Sequence, residues 1–142
     1  MDHTGWKICE RRLNRFELAA KAVALSGPGI NRGRNRNAFK CGAVIVSRKA
    51  IIAARFNSYK THPQLIKFTP YPFLHAEQAA ILACGIGFLR RQKGLKLYIA
   101  RTKKDHTLAL AKPCSVCQAM ISEAGIKEVY YSTKHGNFQR LT

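Results

Sequence analysis

The chain has 142 residues and is 46% hydrophobic, which suffices for one domain whose core needs no disulfides. It contains no apolar run of transmembrane length, and residues 1–16 lack the layout of a signal peptide. We therefore expect a single domain over residues 1–142, located in the cytoplasm and without a membrane partner. Twenty-five Lys and Arg face seven acids, and the resulting charge of +18 predicts a polyphosphate partner.

The five cysteines are an odd number in a chain without a secretory signal, which argues against a disulfide framework. Cys9, Cys41 and Cys84 are isolated beside apolar residues, and we interpret them as small buried hydrophobic side chains. The other two, Cys114 and Cys117, form a C-x-x-C pair.

The first predicted element is a helix in "NRFELAAKAVALSG", residues 14–27. Asn14 and Glu17 have the spacing of a capping box, apolar residues recur at helical intervals, and Gly27 with Pro28 ends the helix. Residues 27–40 have no periodicity and are rich in Gly, Asn and Arg, which indicates a loop. The glycines of this loop lack the spacing of a dinucleotide-binding motif.

Two β-branched runs around Arg48 and Lys49 predict a β-hairpin over residues 41–57, and a proline-broken loop covers residues 58–74. A helix follows in "HAEQAAILAC" and ends near Gly85 and Gly87. The rest of the chain reads as a strand in "LKLYIAR", a partly basic connection in "TKKDHTLALAK", a helix in "PCSVCQAMISEAG" and a strand in "IKEVYYS".

The order α-ββ-α-β-α-β places helices between strands, and it predicts parallel pairing of the strands that they separate. Few residues remain after residue 132, so a parallel fifth strand has no room for its crossover. If residues 138–141 form a strand, we expect it to return antiparallel through His135 and Gly136.

The C-x-x-C pair lies in the first turn of a predicted helix, where both sulfurs can face one point and the helix dipole favours thiolates. The spacing indicates a soft metal, above all zinc, although a lone C-x-x-C also fits a redox pair. His75 begins a second helix that follows a strand of the same sheet, so it can join Cys114 and Cys117 as a third ligand. Three protein ligands leave one position for water, which is typical of a single catalytic zinc ion.

Glu77 lies two residues after His75. A carboxylate beside a zinc-bound water, but outside the ligand set, can accept a proton from that water and deliver it elsewhere. The alternative for Glu77 is an ordinary first-turn helix acid, and the alternative for His75 is a capping or core histidine. The P-C-x-x-C segment later in the chain favours the catalytic interpretation of both residues.

The H-A-E motif at residues 75–77, followed by P-C-x-x-C at residues 113–117, resembles the cytidine and deoxycytidylate deaminase superfamily. The resemblance covers residues 16–132, and "PCSVCQAMISEAGIKEVYYS" looks especially like the deoxycytidylate branch. It implies an α/β fold of three α-β-α layers, with a mixed central sheet of four to five strands flanked by helices.

The same resemblance implies that His75, Cys114 and Cys117 bind zinc, while Glu77 moves a proton to the ring nitrogen and helps ammonia leave. The hydroxide attacks C4 of cytosine, and the subsequent loss of ammonia gives uracil. Asn57 matches a position where the family has an asparagine that contacts sugar or base, and its alternative is a turn residue. The connection at residues 102–112 is longer than usual and is similar to an insertion in some virus-borne relatives, which leaves a viral origin open.

Three functions stay open: a cytosine deaminase acting on single-stranded nucleic acid, with DNA favoured, a deaminase of free deoxycytidylate, and a non-catalytic zinc-containing nucleic-acid-binding module. The resemblance favours the free nucleotide, whereas the charge favours the polymer. In this fold the loops at residues 27–40 and 58–74 flank the zinc site, and their cations and aromatic rings suit a stacked single strand. The candidate substrate-binding residues are Asn57, Arg32, Arg34, Arg36, Lys60, His62 and Tyr71.

The remaining histidines, His3, His62, His106 and His135, are interpreted as solvated or capping side chains rather than as a second metal site. The sequence leaves the oligomeric state open.

Overall fold

The computed structural model describes residues 12–28, 40–58 and 74–142. Helices and strands alternate along this part of the chain. In chain order the elements are α1 (Arg15–Ser26), β1 (Lys40–Ser47), β2 (Ala50–Phe56), α2 (Ala76–Cys84), α3 (Ile86–Arg90), β3 (Leu95–Thr102), β4 (Leu108–Ala109), α4 (Ser115–Glu123), β5 (Glu128–Ser132) and β6 (Phe138–Arg140).

The strands form one mixed sheet in the order β2-β1-β3-β5-β6, and the short β4 pairs with the end of β3. β1 is antiparallel to both β2 and β3, whereas β3 and β5 are parallel. β6 returns antiparallel to β5, with Phe138 opposite Ser132, as the short C-terminal segment predicts. The mixed sheet expected from the family resemblance is therefore confirmed.

The parallel pairing predicted from the element order is confirmed for β3 and β5, but it is wrong for β2 and β3. These two strands run in the same direction, yet β1 lies between them and pairs with both. The β1–β2 turn consists of Arg48 and Lys49, whose φ angles of 50° and 69° match the twist of a tight hairpin. Because the hairpin closes so tightly, β2 takes one edge of β1 and leaves the other edge for β3.

Alternate residues of β3 face two different layers, as the period of a strand requires. Leu97 and Ile99 pack with residues of α2 and α4, such as Ile81 and Ile121. Tyr98 and Ala100 pack on the opposite face, in the cluster that α1 covers. The sheet therefore lies between two helical layers, which confirms the expected α-β-α architecture.

The first helix is held at its start and pressed closely against the sheet. Asn14 Oδ1 accepts a hydrogen bond from the N–H of Glu17 at 2.8 Å, and Glu17 Oε1 accepts one from the N–H of Asn14 at 2.9 Å. These bonds form the predicted capping box. At Gly42 in β1, an added Cβ would lie 2.4 Å from the N of Ala24 and 2.5 Å from the O of Ala20. Glycine at this position therefore sets the distance between α1 and the sheet.

Two details of the second helix and the basic connection differ from the sequence predictions. Gly85 ends α2 with a φ of 89°, but Gly87 lies inside the separate short helix α3 instead of ending α2. The connection at residues 102–112 also contains a strand, since β4 pairs with Arg101 and Thr102 at the end of β3. Across the described residues, none of the helices combines the length and the apolar character that a membrane span needs.

Candidate metal centre

Two helix starts bring the predicted ligands together. His75 is the residue that caps α2, and its backbone N–H donates to Gln78 Oε1 at 2.9 Å. Cys114 caps α4, where the side-chain amide of Gln118 donates to the carbonyl of Pro113 at 2.8 Å. A glutamine near the start of each helix thus holds its first turn in place, and the two helices begin at the same edge of the sheet.

The three predicted ligand side chains converge. His75 Nδ1 lies 3.1 Å from Cys117 Sγ and 3.9 Å from Cys114 Sγ. Their ligand atoms all lie within 4.8 Å of one another. Tetrahedral zinc with Zn–S and Zn–N bonds of about 2.3 and 2.1 Å separates neighbouring ligand atoms by roughly 3.5 Å. One imidazole nitrogen and two sulfurs at these distances fit zinc both by chemistry and by spacing.

The convergence confirms the expectation that His75, Cys114 and Cys117 can share one ion. Among the described residues, no other group of three or more His, Cys, Asp or Glu side chains could hold a metal. His106 and His135 are exposed in turns, as the sequence interpretation expects, while His3 and His62 lie outside the described residues.

A cavity of about 160 Å³ opens beside the metal-binding side chains. Its walls come from the starts of α2 and α4, from β1 and β3, and from the segment that follows β4. The lining residues are Cys41, His75, Ala76, Glu77, Ile99, Arg101, Leu110, Ala111, Lys112, Pro113 and Cys114. A carboxyl, two basic groups and the donors His75 and Cys114 therefore face a single space with otherwise largely apolar walls.

Glu77 is the acidic group of this cavity and is only 6% exposed. Burial raises the pKa of its carboxyl to about 7, and a hydrogen bond from its own backbone opposes the shift. Glu17, a first-turn acid of α1, is also buried, but its carboxylate caps its own helix, whereas Glu77 lines the cavity beside His75 and Cys114. Its position in the cavity therefore separates Glu77 from that alternative. A divalent cation held by the neighbouring donors would stabilise the carboxylate and lower this pKa again.

Burial also raises the pKa of the Cys117 thiol, and the charges of Glu77 and Cys114 add to the effect. A thiolate at this buried position therefore needs a positive partner, which a zinc ion supplies. Cys41 lies across the cavity, and burial raises the pKa of its thiol as well. Cys41 is thus a neutral buried side chain, as predicted, and it forms part of the cavity wall.

Asn57 is 1% exposed at the end of β2. Its Oδ1 accepts a hydrogen bond from the N–H of Cys41 at 2.9 Å, and its N–H donates to the carbonyl of Cys41 at 3.1 Å. The side-chain oxygen therefore helps to hold the end of β2 against β1, which contributes Cys41 to the cavity wall. Asn57 is absent from the described residues that line the cavity itself.

The other predicted substrate-binding residues lie outside the described residues. They are Arg32, Arg34 and Arg36 in the segment 29–39, and Lys60, His62 and Tyr71 in the segment 59–73. Cys9, interpreted above as a buried side chain, also lies outside.

Arg101 and Lys112 are cavity residues that the sequence reasoning missed. The period of two along β3 would have placed Arg101 on the same face as Leu97 and Ile99. The position of Arg101 in the cavity wall could therefore have been predicted from the sequence, because β3 runs toward the metal donors and Arg101 lies at its end. Lys112, one residue before Pro113, belongs to the predicted basic connection, and only the return of β4 toward α4 brings it to the cavity.

Comparisons with known proteins agree with this geometry. The family model described as the cytidine and deoxycytidylate deaminase zinc-binding region matches residues 17–133. No curated protein sequence matches the chain.

Solved structures with a similar fold include the dCMP deaminase of the cyanophage S-TIM5. Its apo form is 24% identical, covers 83% of this chain and 79% of its own, and has a TM-score of 0.52. Its complex with dCMP and dUMP is also 24% identical, covers 91% and 83%, and has a TM-score of 0.52. The cytidine deaminase of Mycobacterium leprae is 17% identical, covers 97% and 94%, and has a TM-score of 0.48.

The matched region contains all three metal donors, Glu77 and every described residue that lines the cavity. This chain belongs to the cytidine and deoxycytidylate deaminase family and is a zinc-dependent deaminase of that type.

Proposed function

We propose that the protein converts cytosine to uracil within single-stranded nucleic acid, with DNA favoured. One zinc ion would be held by His75, Cys114 and Cys117, and Glu77 would carry the protons. The observation that carries this proposal is the buried carboxyl of Glu77, which lines the same cavity as His75 and Cys114, two of the three converging metal donors. The net reaction consumes cytosine and water and releases uracil and ammonia.

Zinc, when bound, supplies a nucleophilic hydroxide from water near neutral pH. Glu77 accepts the proton that this water loses and delivers it to N3 of the cytosine ring, and it then assists departure of the amine as ammonia. Burial raises the pKa of this carboxyl, which favours uptake of a proton, whereas bound zinc would lower the pKa and favour its release. Ile99 and Ala111 give the cavity an apolar wall near Glu77.

The charge of the chain supports a polymer substrate, and the burial of Glu77 in the cavity favours a single strand. A single nucleotide needs few basic groups, whereas a net charge of +18 can neutralise many phosphates. A buried carboxyl can reach only a base that has left its stack, so among polymers a single strand is favoured over a duplex. Asn57, Arg32, Arg34, Arg36, Lys60, His62 and Tyr71 remain proposed substrate contacts on the strength of the sequence.

Free deoxycytidylate is the second candidate substrate. The observation that favours it is the similarity to a phage dCMP deaminase whose structure was solved with dCMP and dUMP. Arg101 and Lys112 in the cavity wall could contact the one phosphate of such a nucleotide. A zinc-containing binding module without turnover is the third candidate, and the burial of Glu77 argues against it, because a purely structural zinc site has no use for a buried acid beside its ligands.

One pair of assays distinguishes these candidates. The protein is incubated with free deoxycytidylate and, separately, with a cytosine-containing single-stranded DNA oligonucleotide, and uracil is measured in each. The proposal expects uracil in the oligonucleotide. Uracil from deoxycytidylate alone would establish the second candidate, and no uracil in either assay with zinc-loaded protein would favour the third. A Glu77→Gln variant run in parallel excludes a contaminating deaminase.

A further inference from the structure

Residues 101–112, from Arg101 at the end of β3 to Lys112 before α4, form what we call the rim hairpin. Both of its ends line the cavity, with Arg101 on the outgoing strand and Leu110 and Lys112 on the returning segment. The paired part of the hairpin joins Arg101 to Ala109, and residues 103–107 between the strands are exposed. The tip therefore projects into solvent directly from the mouth of the candidate active site.

Hydrogen bonds give the tip a defined shape. The N–H of Lys103 donates to the carbonyl of Thr107, and the N–H of His106 donates to the carbonyl of Lys103, both at 2.9 Å. Asp105 Oδ1 accepts a hydrogen bond from the N–H of Thr107 at 3.1 Å, and bonds from Thr107 lower the pKa of this carboxyl. The only acid of the hairpin is thus engaged within the turn itself.

Ser132 fixes the base of the hairpin. Its buried Oγ accepts from the N–H of Arg101 at 3.0 Å and donates to the carbonyl of Ala109 at 2.7 Å. Its own carbonyl accepts from the N–H of Ala111 at 2.9 Å. One side chain and one carbonyl of β5 therefore join both strands of the hairpin to the central sheet, and the hairpin is held in place beside the metal donors.

The side chains that the hairpin presents are mainly cationic. Lys103, Lys104 and Lys112 are exposed, and none of the three forms an ion pair with any residue in the described ranges 12–28, 40–58 and 74–142. Lys40, the first residue of β1, pairs with Thr102 across the sheet and adds a further basic side chain at the same edge. Leu110, which is 53% exposed, adds an apolar surface between these cations and the cavity.

We propose that the rim hairpin binds the backbone of single-stranded DNA next to the target cytosine. Lys112 contacts the phosphate of the nucleotide in the cavity, whereas Lys103 and Lys104 contact the phosphates of its neighbours. The inference rests on the proposed function, because it takes the cavity to be the cytosine site. A strand rises about 3.3 Å per residue, so the tip lysines lie roughly 7 to 10 Å beyond Arg101. A free mononucleotide in the cavity has no second phosphate at that distance.

Charge alone does not locate this surface, because basic residues also occur at the opposite edge of the sheet. Lys93 and Lys127 are exposed there, just before β3 and β5 begin. They are far from the cavity mouth and do not line it. They therefore provide a matched control, since a double substitution at either edge removes the same net charge.

The test compares Lys103→Ala/Lys104→Ala with Lys93→Ala/Lys127→Ala in the full-length zinc-loaded protein. The affinity for a fluorescent cytosine-containing single-stranded DNA oligonucleotide is measured over a series of salt concentrations. The hairpin variant should bind about tenfold more weakly at about 0.1 M salt, and its salt slope should fall by about 1.4, at about 0.7 for each lost phosphate contact. The control variant should keep the wild-type slope to within a few tenths.

A further double variant separates the effect of charge from the effect of side-chain shape. Lys103→Arg/Lys104→Arg should keep the wild-type slope, because phosphate neutralisation needs only the positive charge. An unchanged slope in the alanine variant, an equal loss in the control variant, or a wild-type protein without salt-dependent binding would each overturn the inference. Because binding is read without turnover, a protein that binds in this way but produces no uracil would refute the proposed function and leave the hairpin inference standing.

Discussion

His75 Nδ1 lies 3.1 Å from Cys117 Sγ, although the two residues are 42 positions apart in the chain. The two helices that carry them begin at the same edge of the sheet. Cys114, the residue that caps α4, supplies the third donor. The donor set is therefore assembled by the starts of two helices that are far apart in the chain and adjacent in the fold.

The first prediction concerns metal content. The purified protein should hold about one zinc ion per chain, and His75→Ala or Cys114→Ala should lose most of it, because two remaining donors bind zinc far more weakly than three. Inductively coupled plasma mass spectrometry of dialysed protein measures the ratio. Cys84→Ala serves as the control, since this half-buried cysteine is absent from the donor set. Full zinc occupancy in Cys114→Ala would refute the ligand assignment.

The second prediction concerns Glu77. Glu77→Gln should keep zinc and fold but reduce kcat by about 10² to 10⁴, because the amide preserves the shape of the side chain and cannot carry a proton. Uracil production from both candidate substrates measures the effect. Glu123→Gln, at the exposed end of α4, removes the same charge and should retain activity. A near-wild-type rate in Glu77→Gln would show that Glu77 carries no proton in the reaction and is only an acid at a helix start.

The third prediction concerns the contact between α1 and the sheet. Gly42→Ala should lower the free energy of unfolding by about 1 to 3 kcal/mol, because the new Cβ meets backbone atoms of α1 that can move only with the whole helix. Thermal or urea unfolding measures the change.

Gly87→Ala is the matched control for the third prediction. An added Cβ there meets only the guanidinium of Arg91 at 3.7 Å, and alanine favours the helix by up to about 1 kcal/mol. This variant should be as stable as wild type or more stable. Equal stability of the two variants would show that α1 does not need glycine at position 42.

The fourth prediction concerns Ser132, which is 0% exposed. Ser132→Ala should cost about 1 to 3 kcal/mol, because the N–H of Arg101 and the carbonyl of Ala109 lose a buried partner. Amide hydrogen exchange at Arg101 should become faster, and unfolding measures the stability. Ser122→Ala, at an exposed position of α4, should change neither quantity. Unaltered exchange at Arg101 in Ser132→Ala would mean that the hairpin base is held by other contacts.

Much of the local structure and the chemistry could be predicted from the sequence. The residue types at positions 75, 77, 114 and 117 indicate zinc deaminase chemistry, because few arrangements other than a metal site use an imidazole and two thiols at helix starts. The capping box of Asn14 and Glu17 was equally readable, since both of its bonds span only three residues. The antiparallel direction of β6 followed from the short connection before it, because the residues between Ser132 and Phe138 leave no room for the crossover that a parallel strand needs.

The order of the strands and the composition of the cavity were decided by the tertiary structure. No short window of sequence contains the information that β1, and not β2, pairs with β3, because that choice depends on hydrogen bonds between segments about fifty residues apart. The same pairing brings Arg101 into the cavity. The β1–β2 hairpin, by contrast, places the N–H of Cys41 opposite Asn57, where it donates to the side-chain oxygen. Local patterns fix the residues that can perform the chemistry, whereas long-range pairing decides which side chains share a space with them.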